Sequence, residues 1–285
     1  MAESRWAGPA DRARLEAFLE ADADRAMFPL SNLARHGLSG GPARHACRFR
    51  LTADGDRILG AVALSTEGMV LPVCAPDLGD LRAALAGQWI AGVIGETGLA
   101  LAVLGALGLD RAPRMMDDDE PHFVLDLADL AMPRCDGLSL HPLSEAPRST
   151  AVALRAAFAR EVLGEDESGA ILRAEMDVSE FLEAGSHRLL RAGDDWVAMT
   201  GFNAALPRIV QIGAVYVPPA RRGRGLARAA VALHLDEARR AGAKRAVLFA
   251  ASEPATRAYR ALGFRQIGRF GLYLFATPLE VPPCP

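Results

Sequence analysis

The sequence predicts an α/β protein made of two domains in tandem, and three observations predict it. The chain has 285 residues, longer than one domain of ordinary size. Short β-branched runs alternate along its whole length with segments of helical apolar spacing. The order of these segments in the first half is three strands, helix, strand, helix, strand, and the second half repeats it. The halves share no obvious identity, so the repetition lies in the order of elements. Apolar residues make up 51% and charged residues 24%, the balance of a globular protein with a sizeable core.

The first half opens with helical spacing at Leu15, Phe18 and Leu19. A hairpin comes after it, with strands at 47–52 and 57–65 turning at Asp54-Gly55-Asp56. A strand at 69–73 and a helix at 77–86 come next. Residues Trp89 to Leu109 carry a single charge, Glu96, and are long enough to span a bilayer. A carboxylate near the middle of such a span costs about 2.5 kcal/mol or more. Gly92, Gly95 and Gly98 cluster around it, which favours a strand at 88–95 followed by a core helix at 97–108. An acidic loop, Asp117 to Glu120, then precedes a strand at 122–127. Pro133 and Gly137 place the junction at 132–137, giving domains at 1–131 and 138–278.

In the second half, strands are expected at 138–143, 187–192, 196–204, 209–217 and 245–250. Helices are expected at 149–163, 170–183, 225–241 and 255–262, and a strand pair at 264–275 closes the domain.

Several function classes are set aside by composition. Net charge is −3, from 32 basic and 35 acidic residues, without the basic excess of a dedicated nucleic-acid binder. The four cysteines (Cys47, Cys74, Cys135, Cys284) form no C-x-x-C pair, which points to free thiols in a reducing cytoplasm. Met1 to Arg25 lacks an apolar h-region, so no secretory leader is expected, and no membrane partner either. The six histidines lack ligand spacing, so no metal is expected. No G-x-S-x-G elbow or Ser-His-Asp pattern is present.

Chemistry concentrates after the strand at 209–217. Pro218 and Pro219 stop that strand, and Arg221-Arg222-Gly223-Arg224-Gly225-Leu226-Ala227 leads into a helix marked by Leu226, Ala230, Val231, Leu235 and Ala238. The first turn of a helix leaves N–H groups unpaired and partially positive, so it favours phosphates. Gly223 and Gly225 allow close backbone approach, and Arg221, Arg222 and Arg224 add full charge. A P-loop would need Lys and a hydroxyl that are missing here. A dinucleotide fingerprint would need glycine where Arg228 stands. A merely solvated arginine-rich turn is the plain alternative.

Arg222-x-x-Gly225-x-Ala227 resembles the Q/R-x-x-G-x-G/A signature of the GNAT superfamily of N-acyltransferases. Ser252-Glu-Pro-Ala255-Thr-Arg-Ala-Tyr259-Arg-Ala-Leu-Gly263-Phe264 resembles that superfamily's second signature, N-x-x-A-x-x-x-Y-x-x-x-G-F, with Ser252 replacing its Asn. The likeness covers 138–277. It implies a mostly antiparallel twisted sheet flanked by helices, in which the strand at 209–217 splays from the strand at 245–250. It also implies acetyl-CoA as co-substrate, its pantetheine arm bonded to the backbone of Val215 and Val217. The cofactor-binding set so implied is Val215, Tyr216, Val217, Arg222, Gly223, Arg224, Gly225, Leu226, Ala227, Ser252 and Ala255.

Tyr259 matches the family's general acid for the departing thiolate, although its helix neighbours Ala255, Ala258 and Leu262 would also suit a packed aromatic. The proton acceptor is less legible, because 209–217 contains no carboxylate. Glu161 is the chosen candidate among Glu161, Glu165, Asp166 and Glu167, with a water relay open and with helix-end solvation the ordinary role of each.

At the place of the phosphate loop the first half reads Ala75-Pro76-Asp77-Leu78-Gly79-Asp80, whose carboxylates repel a diphosphate. It looks like a degenerate GNAT-like domain that completes the acceptor pocket or holds the second domain. Phe28 to Leu33 carries no assigned chemistry. The expected activity is transfer of an acetyl group to a primary amine on a small molecule or peptide. A non-catalytic acyl-CoA sensor with a partner-binding N-terminal half is the other reading. Acceptor, acyl length and oligomeric state, a homodimer among the options, stay open.

Overall fold

The computed structural model describes residues 2–38, 40–75 and 77–284, and its contacts divide the chain into two units. One comprises Met1–Pro121 with Gly268–Pro285, the other His122–Ile267. The junction expected at 132–137 falls inside the second unit. Pro76, in the acidic loop of the first half, lies outside the described residues.

The first unit runs β1 (Glu3–Trp6), α1 (Arg12–Ala21), α2 (Ala23–His36), β2 (Cys47–Asp54), β3 (Arg57–Ser65), β4 (Met69–Val73), α3 (Leu81–Leu85), β5 (Trp89–Glu96), α4 (Thr97–Leu107) and into β6 (Arg114–Asp126). β1 lacks the apolar alternation that marks a strand, and the sequence reading missed it. It is held as an edge strand by pairing with β2, Glu3 opposite Ala53. Buried Asp11 anchors the next turn, accepting from Arg5 at 2.6 and 2.7 Å and from the Gly8 N–H at 2.8 Å.

The apolar stretch after Trp89 resolves into β5 and α4, and no described helix is long and apolar enough to cross a membrane. Glu96, the one charge there, caps α4 by accepting the Leu99 N–H at 3.0 Å. α4 packs Ala100, Val103, Leu104 and Leu107 against Val70, Ile90 and Val93. Phe28 to Leu33 lies within α2, where Pro29 is tolerated and Phe28 meets Phe270 at 6.3 Å.

Two expectations need correction here. The helix expected at 77–86 shrinks to Leu81–Leu85. Asp77 accepts the Gly79 N–H at 2.8 Å, and that local turn competes with helix. The acidic run 117–120 is strand rather than loop. Two of its four carboxylates are met by arginines, Asp117 by Arg114 at 2.6 Å and Asp119 by Arg269 at 2.5 Å, with Thr97 donating to Asp119 at 2.6 Å.

The second unit takes up β6 at His122 and continues through β7 (Leu138–Pro142), α5 (Arg148–Val162), α6 (Glu167–Ala184), β8 (His187–Ala192), β9 (Asp195–Ala205), β10 (Ile209–Tyr216), α7 (Leu226–Arg240), β11 (Arg245–Phe249), α8 (Glu253–Arg260) and the start of β12 (Arg265–Glu280). The strand order in its sheet is β6-β11-β10-β9-β8-β7, with only β10 and β11 parallel. Leu189 packs with α5 and α6, and Leu190 packs with α7. Period-2 alternation therefore assigns those helices to opposite faces. α8 joins α7, since Tyr259 and Leu262 share a core with Val231, Leu235, Val210 and Ile212. Buried Arg155 of α5 binds Asp177 of α6 at 2.8 and 2.5 Å and ties those two helices together.

The closing strand pair expected at 264–275 is one continuous strand. Its residues from Phe270 onward pair with β5 of the first unit, Phe270 opposite Glu96 and Glu280 opposite Trp89. Gly271 makes no turn there. A Cβ on it would lie 2.4 Å from the Tyr273 ring, so the glycine makes room for an aromatic. β6 does the converse, pairing its His122 to Asp126 with β11.

Gly201 likewise leaves room for the His187 ring, which a Cβ would approach to 2.1 Å. That ring stacks on Phe181 at 3.4 Å, and His234 stacks on Phe202 at 3.8 Å. Gly201→Ala is expected to destabilise the protein by about 1–3 kcal/mol through overpacking. Chemical denaturation should record that loss, and its partial recovery when His187→Ala is added.

Burial pushes His187 well below its ordinary value and His234 from 6.5 to about 3. An unfolded chain protonates such a group at higher pH than the folded one does. The stability it contributes is therefore complete above pH 6.5 and is lost as pH falls toward 3. In His234→Gln the slope of unfolding free energy between those limits should drop by one proton, about 1.4 kcal/mol per pH unit.

Candidate active site

β10 and β11 begin as ordinary parallel neighbours. Ile209, Val210 and Gln211 pair with Arg245, Ala246 and Val247, and the pairing stops there. On its other side β10 breaks register with β9 between Gly213 and Tyr216, where Ala214 and Val215 face Thr200 alone. Ala214 adopts φ 51, unusual for a residue with a Cβ, as a β-bulge of this kind allows. Past Ile212 the backbone of β10 thus has no β11 partner. The splay implied by resemblance is present.

The chain then turns at Pro218, makes one 3-10 turn at Pro219–Arg221, and enters α7 through Gly223 (φ 77) and Gly225 (φ 76). Both glycines occupy the left-handed region where a side chain is strained. Gly225 is the N-cap and carries no capping side chain. Among the described residues, the N–H groups of Gly223 to Arg228 find no protein acceptor. Six amides and a helix dipole are left for an external anion.

The arginines divide. Arg224 is exposed and has no partner among the described residues, Arg221 pairs outward with Asp195 at 2.9 Å, and Arg222 turns back over the strand end. Its Nε donates to the Val217 carbonyl at 2.9 Å and its Nη2 reaches Glu161 at 2.6 Å. The guanidinium lies 5.7 Å from the Tyr216 ring centroid, and the Tyr216 hydroxyl donates to Glu161 at 3.2 Å. Burial, with Glu161 alongside, raises the Tyr216 hydroxyl above its usual range. The structure therefore gathers Glu161, Tyr216, Val217 and Arg222 into one contact network.

Of the other acidic candidates, Asp166 caps α6 by accepting the Gly169 N–H at 2.7 Å, Glu165 binds Arg173 at 2.6 Å, and Glu167 pairs with Arg160. All three have ordinary helix-end roles. Sequence reasoning missed the Tyr216 hydroxyl, whose partner stands 55 residues away, and Arg228. The Nε of Arg228 is buried beside the open amides without a hydrogen-bond partner among the described residues. Its signal was its place directly after the loop motif.

At the start of α8, Ser252 accepts the Ala255 N–H at 3.4 Å and so performs the cap at the site of the family's asparagine. Tyr259 is 7% exposed and meets Phe264 edge-on at 6.0 Å in the core shared with α7. Gly263 has φ 99, and a Cβ there would press on the Asp129 carbonyl at 3.0 Å, which accounts for the glycine before Phe264. A cavity of about 400 Å³ opens on the α5 side of the strand end, floored by Trp196 and Tyr216 and walled by Thr150, Ala153 and Ala157. No cluster of metal-ligating side chains forms among the described residues.

Residues 156–264 match the acetyltransferase (GNAT) family model. No curated protein matches the sequence. Among solved structures, a Drosophila protein superposes with TM-score 0.64 at 13% identity, covering 95% of this chain and 98% of its own. A tandem GNAT protein from the clavulanic acid biosynthesis pathway superposes with TM-score 0.57 at 16% identity over the full length of both chains. A GCN5-related N-acetyltransferase from Kribbella flavida does so with TM-score 0.57 at 17% identity, covering 93% and 95%. At such identities the likeness establishes fold alone, and it spans both units. Residues 156–264 are therefore similar to the acetyltransferase (GNAT) family, within a chain whose fold resembles that of a tandem GNAT protein.

Proposed function

We propose that the protein transfers an acetyl group from acetyl-CoA to a primary amine. The observation that carries this reading is the row of open amides at Gly223 to Arg228, placed where β10 has just parted from β11. A diphosphate on the amides directs the pantetheine arm into the divergence, where unpaired strand backbone can bond its amide groups. Arg222, Gly223, Arg224, Gly225, Leu226 and Ala227 hold the phosphates. Val215, Tyr216 and Val217 line the arm, and Ser252 and Ala255 border it at the start of α8.

Amine attack on the thioester carbon forms a tetrahedral oxyanion. Its collapse breaks the C–S bond and needs a proton on sulfur. Tyr259 supplies that proton from its hydroxyl. The attacking amine must shed a proton. Glu161 already accepts from Arg222 and Tyr216, so we assign it to holding Arg222 and let water carry the amine proton away.

Titration calorimetry with acetyl-CoA is the direct test, and absence of heat at high micromolar coenzyme ends the proposal. Arg222→Ala is expected to raise Kd by about 10- to 100-fold, the worth of a charge-assisted hydrogen bond. Tyr259→Phe should bind coenzyme normally while kcat falls by about 10²-fold or more. Binding without turnover on any amine would instead support the acyl-CoA sensor.

Glu161→Gln separates the two roles of that carboxylate. Removing a competitor for Arg222 should tighten coenzyme binding by up to about fivefold, the scale of an exposed ion pair. If kcat instead falls by about 10²-fold or more, Glu161 is the base after all.

A further inference from the structure

The first unit repeats the divergence of the second. β4 and β5 pair in parallel only at Met69 with Gly92 and Val70 with Val93. A cavity of about 380 Å³ lies at their separated ends, walled by Pro72, Val73 and Leu99 and carrying the side chains of Asp22, Arg25 and Glu96. Its volume is in the range of small-molecule sites.

The chain beyond β4 excludes a phosphate-bearing occupant. Asp77 and Asp80 stand where the second unit has arginines, and α3 has five residues where α7 has fifteen. Any ligand of this cavity must be recognised without an anion site. The charges present favour a cation. Arg25 is committed to Asp22 at 3.0 Å. Glu96 gives one oxygen to the Leu99 N–H at 3.0 Å, and its other oxygen carries no hydrogen bond from the described residues. Cys74, at the rim, adds no anion, because partial burial raises its thiol.

We propose that this cavity binds a primary alkylammonium, its apolar chain against Pro72, Val73 and Leu99 and its charge on Glu96. With Asp22 and Arg25 paired to each other, the Glu96 carboxylate selects an amine over an alcohol of the same shape, because only the amine brings the opposite charge. The inference is independent of acetyl transfer, since no residue of the second unit takes part.

Cys74 reports occupancy, being exposed at the edge of the cavity. The full-length protein is alkylated with iodoacetamide and the Cys74 peptide is followed by mass spectrometry, with Cys284 as the exposed control. Hexylamine at ten times its Kd should slow Cys74 labelling about tenfold, with Cys284 unaffected. Hexanol should give no protection. Glu96→Gln keeps an oxygen for the α4 cap, so it should label like the parent alone but lose protection by hexylamine. Equal protection by hexanol overturns the proposal by making the site purely apolar. Protection by coenzyme A overturns it by making the site a second coenzyme slot. Equal labelling with and without hexylamine up to its solubility overturns it outright.

Discussion

The site depends on one constraint: β10 and β11 cannot stay paired beyond Gln211 and Val247. Backbone polar groups removed from water need partners. A strand that loses its neighbour while a bulge twists it away on the other side presents those groups to a ligand instead. The same chain then reverses through two left-handed glycines into α7, so the strand's open edge and the helix's open amides adjoin by covalent necessity. A ligand with an amide-bearing arm and a diphosphate matches both features at once. Substituting a capping residue at Gly225 would compete with the second.

The second unit supports that opening with a rigid periphery. Arg155 and Asp177 lock α5 to α6, and the Arg155 guanidinium lies over Phe158 at 4.8 Å. Phe158 meets Tyr216 edge-on at 6.3 Å. From Tyr216 the contacts pass to Glu161 and Arg222, so the helices that wall the strand end are joined to the anion loop by side chains. Arg222 resting on Glu161 satisfies a guanidinium that would otherwise face solvent alone. Such a pair is worth little where it is exposed, about 1 kcal/mol or less.

The first unit repeats the element order of the second and differs from it in chemistry. Its elements run in the same order as those of the second unit, a strand and two helices before the three-stranded meander, and β4 still parts from β5. Among its described residues the first unit has no counterpart of the glycine-rich basic loop. The residues after β4 hydrogen-bond among themselves through Asp77, and Asp80 pairs with Arg50. A scaffold that keeps its cleft and loses its phosphate cradle remains a binding fold with altered chemistry.

The sequence by itself determined what is local. The glycine-rich loop was legible because left-handed turns and helix N-termini need particular residues at fixed spacing, and Gly223, Gly225 and the apolar face of α7 supply them. The strand and helix around Glu96 were legible for the same reason, and the structure adds that this charge is a cap. Only tertiary structure decided where β12 goes, because a strand's residues encode its faces and not its neighbour. Nothing in 264–275 says that its partner is β5. The acidic stretch 117–120 could be read as strand only once Arg269 was seen opposite it. Glu161 looked like any helix-end carboxylate until Arg222, 61 residues on, was brought against it. Contacts between residues so far apart have no periodicity to betray them, and they exist only when packing has chosen one arrangement of the elements.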